Sequence, residues 1–588
     1  MSVLFRVPGL RALPSYRREW LAKDVVAGVV LTTLLVPQGM AYAELAGLPA
    51  ITGLYTSIMC LLGYAVFGPS RILVLGPDSS LGPMIAATIV PLLAAGGDPD
   101  RAVALASVLA IMTAGIMIVA AAGKLGFIAD LLSKPTMIGY MNGLALTILV
   151  GQLPKLLGFS VDADGVIAEF VAFVKGLAAG DAVAPAAALG IVGIALILVL
   201  GRWLHAVPGV LVVVVLSIAA TSIFDLADHG VDLVGVLPQG FPPLTIPDVR
   251  ASDLGVLIAG ALGIALVSLA DTISTASAFA ARTGQEVRGN QEMVGIGVAN
   301  LAAGLFQGFP VSTSGSRTAV AERAGAKSQL TGVVGALLII LMIVFVPGLF
   351  RNLPQPVLAA VVITAALSLA DLPGTARLWR QRKAEFLLSI AAFLGVALLG
   401  VLPGIAIAVG LSILNVFRRA WWPYRTVLER VDGLAGYHDV RSYPHARHLP
   451  GLVIMRFDAP LIFANTNTFR DQVRVLAGND PRPRWIVIAA EPVTDIDTTA
   501  SDMLEELDQT LNEAGTSLVF AELKDPVRRK INRYGLDHTI DPSHYFPTIE
   551  EAVAAYQQQT GAEWTSPDGA DRRAASSSRD EEKATRRP

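Results

Sequence analysis

Fourteen apolar runs crowd the first 420 residues, and they restrict the chain to one kind of architecture. A spanning helix needs roughly 20 mostly apolar residues. The runs fall near 24–45, 50–68, 79–95, 102–122, 136–153, 183–201, 207–225, 253–281, 291–309, 316–324, 329–346, 355–371, 384–401 and 403–419. With 53% hydrophobic and 16% charged residues and a mean hydropathy of +0.58, the chain is too apolar for a soluble protein. The formal charge of −3 excludes a strongly basic nucleic-acid binder. Cys60 is the single cysteine, which excludes an intramolecular disulfide and a cysteine zinc cluster.

Charge divides the chain into two bodies. Residues 1–420 hold 47 Asp, Glu, Lys and Arg, and the much shorter stretch 421–588 holds 46. The expected organisation is a cytoplasmic segment over 1–23, a transmembrane body over 24–420 and a linker over 421–450. A small cytoplasmic domain over 451–560 and a disordered tail over 561–588 follow, the tail because its serines and scattered charges cannot bury a core. No cleaved signal peptide is read at the start. Positive charges alternate from loop to loop. Arg71, Lys124, Arg202, Arg282, Arg288, Arg323, Lys327, Arg377, Arg380, Arg382 and Lys383 fall on one side, with Arg418 and Arg419 after the last span. The loops 154–182 and 226–253 on the other side are mainly acidic, although Lys155, Lys175 and Arg351 also fall on that side. This pattern predicts a cytoplasmic-membrane protein with both termini in the cytoplasm.

The third and tenth runs are broken. The third opens Leu75-Gly76-Pro77-Asp78-Ser79-Ser80, and the tenth opens Phe309-Pro310-Val311-Ser312-Thr313-Ser314-Gly315-Ser316-Arg317. Irregular backbone at membrane depth survives only inside protein or along a cavity. Interrupted segments at matching places in two halves point to a transporter binding site. A half-helix that starts in mid-membrane offers unpaired N–H groups and a partial positive charge. Two such ends make a pocket for an anion, with hydroxyls of Ser79, Ser80, Ser314 and Ser316 as donors and Arg317 as a full charge. Gly315 belongs to the same turn.

Ionisable groups inside spans are functional candidates by default. Asp271 sits well within the eighth run, and Thr275 shares its helical face. That pair is suited to a sodium ion or a proton, and equally to tying helices together. Asp78 beside an anion site is a proton-coupling group, a partner for Arg317, or a plain cap. In the first run Gln38 and Tyr42 lie four residues apart and can face one cavity.

These residues resemble the SulP (sulfate permease) family of anion transporters. The run 36–57, VPQGMAYAELAGLPAITGLYTS, looks like the family signature of the first two spans, and 278–320 looks like that of the eighth to tenth. The resemblance implies an α-helical polytopic membrane protein of fourteen spans as a 7+7 inverted repeat. It implies a core of spans 1–4 and 8–11, a gate of spans 5–7 and 12–14, an elevator-like shift between them, and a homodimer. Gln38, Tyr42, Ser79, Ser314, Ser316 and Arg317 fall on what look like substrate positions. Asp271 falls on the acidic position of the eighth span, and Asp78 departs from the small or aromatic residue common at its place.

After Gly451 the period shifts to strands at 452–457, 485–490 and 517–521, with helices at 467–476, 499–514, 525–534 and 549–556. This α/β alternation resembles a STAS domain, and Thr498 matches a regulatory phosphorylation position of related modules, although an N-cap explains it as well. No phosphate-cradling loop supports an ATPase, and the histidines are dispersed. The expectation is a secondary active transporter of a small anion, with sulfate first and bicarbonate, chloride or a C4-dicarboxylate as alternatives. The chain is not expected to be an enzyme or to need a cofactor beyond a coupling H+ or Na+. Its expected partners are the anion, the bilayer and a second copy, with no nucleic acid. Two other readings stay open: an uncoupled channel or exchanger, and a non-transporting sensor acting through the C-terminal module.

Overall fold

The computed structural model describes residues 8–11, 14, 16–93, 98–126, 133–163, 165–203, 208–283 and 287–565, without the side chains of residues 10, 11, 282, 283 and 537. The chain forms two compact units, Met1–Ile413 and Leu414–Pro588. In the first, a short turn α1 (Pro8–Arg11) precedes α2 (Leu21–Leu45), α3 (Ala50–Phe67), strand β1 (Leu75–Gly76), α4 (Gly82–Ile89) and α5 (Pro99–Ala122). Then come α6 (Lys134–Leu156), α7 (Val166–Ala179), α8 (Ala184–Trp203) and α9 (Gly209–Ile223). The second half repeats the series with α10 (Leu254–Thr283), α11 (Gly289–Leu305), strand β2 (Ser312–Thr313), α12 (Gly315–Arg323) and α13 (Leu330–Phe345). It ends with α14 (Gln355–Leu369), α15 (Leu372–Gln381), α16 (Lys383–Leu399) and α17 (Val401–Trp421).

A helix stands at each of the fourteen apolar runs. Among the described residues, eight are long and apolar enough to cross a bilayer on their own. Of the other six, α4 and α12 have eight and nine residues. The remaining four, α9, α11, α13 and α16, have 15, 17, 16 and 17. The loop 154–182 and the loop between the twelfth and thirteenth spans each contain a further helix, α7 and α15. Those two occupy matching places in the halves, after the fifth span and after the twelfth.

Packing sorts the spans into two groups. In one, α11 lies on α5 and α3, α13 on α2 and α3, α10 on α5 and α4, and α12 on α2. In the other, α16 and α14 pack on α6, and α14 also on α8. The groups meet where α2 touches α14 and α9. Small residues set the closest approaches, as expected where lipid and side chains are equally apolar. A Cβ at Gly53 would stand 1.9 Å from the Gly39 carbonyl oxygen, and one at Gly139 would stand 1.9 Å from that of Ser389. Asp24, fully buried in the first turn of α2, accepts bonds from the N–H groups of Lys327 (2.6 Å) and Ser328 (3.1 Å) and from the Ser328 (2.7 Å) and Thr331 (3.1 Å) hydroxyls. It ties the first span to the turn before α13, so its charge is met entirely by donors.

The second unit is a six-stranded sheet in the order β4-β3-β5-β6-β7-β8. Its strands are β3 (Arg425–Arg430), β4 (Tyr437–Asp439), β5 (Leu452–Phe457), β6 (Trp485–Ala489), β7 (Ser517–Ala521) and β8 (Tyr545–Phe546). Strands β5 to β8 run parallel, and β3 and β4 join antiparallel. Helices α18 (Thr466–Ala477), α19 (Thr498–Glu513) and α20 (Asp525–Tyr534) cover one face, and α21 (Ile549–Thr560) covers the other. All five residues of β6 are therefore buried, which explains its unbroken apolar run. Within the linker expected over 421–450, β3 and β4 belong to the sheet, and Thr426 and Leu428 alternate inward along β3 and bury against β5. At the other end, the expected tail 561–588 is described only to 565. Trp564 packs there against the second face and under the guanidinium of Arg430. The rest of that tail lies outside the described residues. Thr498 is exposed at the start of α19, and the cap is Asp497, which accepts from the Ala500 N–H at 2.8 Å.

The Gly39–Gly53 contact makes a direct prediction. Gly53→Val destabilises the detergent-solubilised protein by about 1–3 kcal/mol through overpacking. Gly115→Ala, at a helix position with nothing within 4 Å, leaves it within about 0.5 kcal/mol or raises it slightly. Thermal unfolding of both variants checks the pair.

Candidate functional site

The two broken segments meet as a miniature sheet. β1 and β2 pair antiparallel, with Leu75 opposite Thr313 and Gly76 opposite Ser312. The Ser314 N–H extends the ladder to the Val74 carbonyl at 3.0 Å. Proline explains why neither segment is helical here, since Pro77 and Pro310 withhold the N–H a helix would need. Buried side chains then satisfy the remaining backbone. Asn300 on α11 accepts from the Val311 N–H (2.9 Å) and donates to its carbonyl (3.3 Å), acting as a third strand. Ser268 on α10 donates to the same carbonyl at 3.0 Å. Thr56 on α3 accepts from Phe309, and Thr318 accepts from Val74.

Past the ladder each segment turns into a half-helix, α4 or α12. Ser314 caps α12, taking the Arg317 N–H at 3.4 Å, and its hydroxyl lies 3.1 Å from that of Ser316. Arg317 is the largest fully buried side chain among the described residues, at 1% exposure. None of its three guanidinium nitrogens has a hydrogen-bond partner among the described residues. Its nearest countercharge is Asp78 Oδ2 at 3.9 Å. Gly76 makes the space, because a Cβ there would stand 2.8 Å from Arg317 Nη1.

Two carboxylates approach one hydroxyl beside this arginine. Asp78 Oδ1 accepts from Ser80 N (2.9 Å) and Ser80 Oγ (2.7 Å), and Ser80 Oγ lies 3.3 Å from Asp271 Oδ2. Asp78 thus both caps the turn into α4 and faces Arg317. Thr275 is half-buried one turn beyond Asp271, and a side chain at Gly315 would meet its hydroxyl at 3.8 Å. Gly315 and Ser316 are exposed, whereas Ser79, Ser80 and Ser314 are buried. Tyr42 is buried next to Ser79, Asp78 and Arg317. Gln38 is half-buried one turn before it on α2. Buried polar atoms without partners gather here as well: besides Arg317, they include the hydroxyls of Thr313, Thr272 and Tyr140.

Most of the candidate residues read from the chain therefore converge, with Gln38 at the margin and Thr498 in the other unit. Gly76, Asn300, Thr56, Ser268 and Thr318 were not singled out. A buried asparagine in an apolar span was the one visible signal among them. The threonines and serines look like any helix-packing hydroxyls until the ladder they serve is known.

Two broken segments that meet at a buried cation without hydrogen-bond partners among the described residues are an arrangement suited to a membrane transporter for anions. Comparison with known proteins gives the family. Residues 21–392 match the sulfate permease family, and residues 443–552 match the STAS domain. The chain belongs to the sulfate permease family. It is 39% identical over 553 residues to a protein of Mycobacterium tuberculosis (strain ATCC 25618 / H37Rv) named "Probable sulfate transporter", covering 94% of this chain and 98% of that one. Sulfate transporter 1.1 of Arabidopsis thaliana is 30% identical over 570 residues, covering 92% and 87%. Among solved structures, the murine solute carrier 26 member A9 anion transporter in its inward-facing state superposes with a TM-score of 0.86 at 25% identity, over 94% of both chains. The transmembrane domain of the cyanobacterial bicarbonate transporter BicA gives 0.58 at 24% identity, over 67% of this chain and 99% of that one. The fold is thus the family's helical transmembrane body with a C-terminal STAS domain, and the protein is a transporter, not an enzyme.

Asn300 holds the tenth segment without facing the site. Asn300→Leu leaves the Val311 N–H without its partner, while the Val311 carbonyl keeps Ser268, and costs about 1–3 kcal/mol for a buried group left unsatisfied. An unchanged unfolding midpoint would remove Asn300 from the ladder.

Proposed function

We propose that this protein is a secondary active transporter that carries sulfate together with protons. The single observation behind this reading is Arg317, a buried guanidinium with three unpartnered nitrogens between the positive ends of two half-helices. A cation placed against positive helix ends is a poor arrangement until an anion joins it. A tetrahedral dianion suits the fork of Arg317 and the hydroxyls of Ser79, Ser314 and Ser316. Names of the relatives point the same way, and bicarbonate, chloride and C4-dicarboxylates are the competing cargoes.

The coupling ion is argued from Ser80. Its hydroxyl has one proton to donate, and ionised carboxylates only accept. Its contacts to Asp78 and Asp271 are both hydrogen bonds only when one carboxyl carries a proton. A proton bound there brings the neighbourhood of Arg317 nearer to the charge an entering anion needs. Sodium at Asp271 and Thr275 is the alternative. Access to each side in turn follows from an elevator-like shift of the group holding α4 and α12 against the group holding α6, α14 and α16. We place the protein in the cytoplasmic membrane as a homodimer with both termini inside, an orientation supported by the basic and acidic loops.

Uptake into proteoliposomes tests the reading with radiolabelled sulfate and the competing anions under imposed gradients. An acid-outside gradient drives sulfate accumulation, and a sodium gradient alone does not. Uptake indifferent to both gradients supports an uncoupled exchanger instead. Arg317→Ala weakens sulfate binding about ten- to hundredfold, from the 1.5–3 kcal/mol of a charge-assisted bond; calorimetry showing wild-type affinity would exclude the site. Asp271→Asn retains sulfate binding but loses gradient-driven accumulation, measured in the same vesicles.

A further inference from the structure

The helices α7 and α15 hold matching places in the two halves, so an inverted repeat sets them at opposite faces of the membrane. Their chemistry differs sharply. Along α7 the exposed large side chains are Ile167, Phe170, Val171, Val174 and Leu177, and its one basic residue is Lys175. By contrast, α15 with the first residue of α16 exposes Arg377, Arg380, Arg382 and Lys383 around an exposed Trp379. Arg377 and Arg380 have no ion-pair partner among the described residues, and Arg382 reaches Glu385 at 3.2 Å. Lys383 lies over the Trp379 ring at 5.8 Å, and that ring meets Phe386 edge-on at 4.9 Å.

The scaffold holds these groups at a fixed depth. Asn142 on α6 accepts from the Asp371 N–H at 2.7 Å and donates to the Thr375 hydroxyl at 2.9 Å, pinning the start of α15. Its last turn leads directly into the spanning helix α16. Leu387, one turn below Lys383 on the same face, is 65% exposed, and Leu394 and Leu398 continue that face. These leucines have only lipid to face, so a cation one turn above them, about 6 Å along the axis, stands where acyl chains give way to headgroups. A tryptophan at that level is the usual marker of the same boundary.

We propose that α15 and the start of α16 form a docking surface for anionic lipid headgroups, with the four cations binding phosphate and Trp379 inserted beside the glycerol region. The partner is a lipid surface rather than a soluble phosphate, because the cations surround an exposed aromatic ring and sit directly above exposed leucines. A negatively charged leaflet attracts such a basic juxtamembrane cluster. The surface belongs to the group of α6, α14 and α16, so lipid charge holds that group to one leaflet.

Fluorescence quenching in reconstituted vesicles tests this with the full chain. The share of Trp379 is the difference between wild type and Trp379→Phe. Phosphatidylglycerol brominated on its acyl chains, as a minor fraction in phosphatidylcholine, quenches that share about twofold more than brominated phosphatidylcholine at the same fraction. R377Q/R380Q/R382Q/K383Q removes the excess, whereas R377K/R380K/R382K keeps it. Inorganic phosphate added to the vesicles leaves the excess in place. Equal quenching by the two lipids in wild type, an excess that survives in the neutralised variant, or its loss to inorganic phosphate would each overturn the proposal.

Discussion

Everything at the centre of the membrane unit depends on satisfying broken backbone where no water can do so. Residues 74–76 and 311–314 leave the helical pattern at a depth where an unpaired N–H or carbonyl costs several kcal/mol. The ladder between β1 and β2 meets part of that demand. Asn300, Ser268, Thr56 and Thr318 meet most of the rest from three different helices and the facing segment. The segments are thereby locked together, and the starts of α4 and α12 are held beside each other.

The charge arrangement gains its meaning from that lock. Arg317 is held in a space that only a glycine at 76 allows, with Asp78 too distant for a hydrogen bond. Burying a guanidinium without hydrogen bonds is expensive. The fold tolerates it because the packed ladder, not the arginine, holds the segments in place. In the reading proposed above, an anion that fills the donors of Arg317 offsets that cost, and the ladder is what keeps the donors in place until it arrives.

The second unit follows a different logic, with an apolar layer on each face of one sheet. Its two clusters, around Phe469 and Ile488 on one side and Trp485 and Tyr556 on the other, leave β6 buried on both faces. Strands β3 and β4 then extend the sheet beyond the parallel strands, which is why that unit begins well before Gly451.

Span number, the two interruptions and the α/β module were legible along the chain because each is a local signal: a run of apolar residues, a proline with small hydroxyls, a change of period. Most of the candidate cluster was legible too, since Arg317, Asp271, Asp78 and the serines are conspicuous polar residues in apolar surroundings. The short strands were not, because two residues of β structure leave no period to read. Asn300 and Thr56 acquired their role only when distant helices brought them to the irregular backbone. The same holds for α15, whose basic residues read as a loop until Asn142 pinned them as a helix. By itself the sequence determined that this chain crosses a membrane and carries two broken segments at matching places in its halves. Only the tertiary structure decided that Gly76 opens a space for Arg317 and that Ser80 bridges two carboxylates. Such contacts join residues up to 241 positions apart, between 76 and 317, and no pattern along a chain encodes which backbone atom a distant side chain will reach.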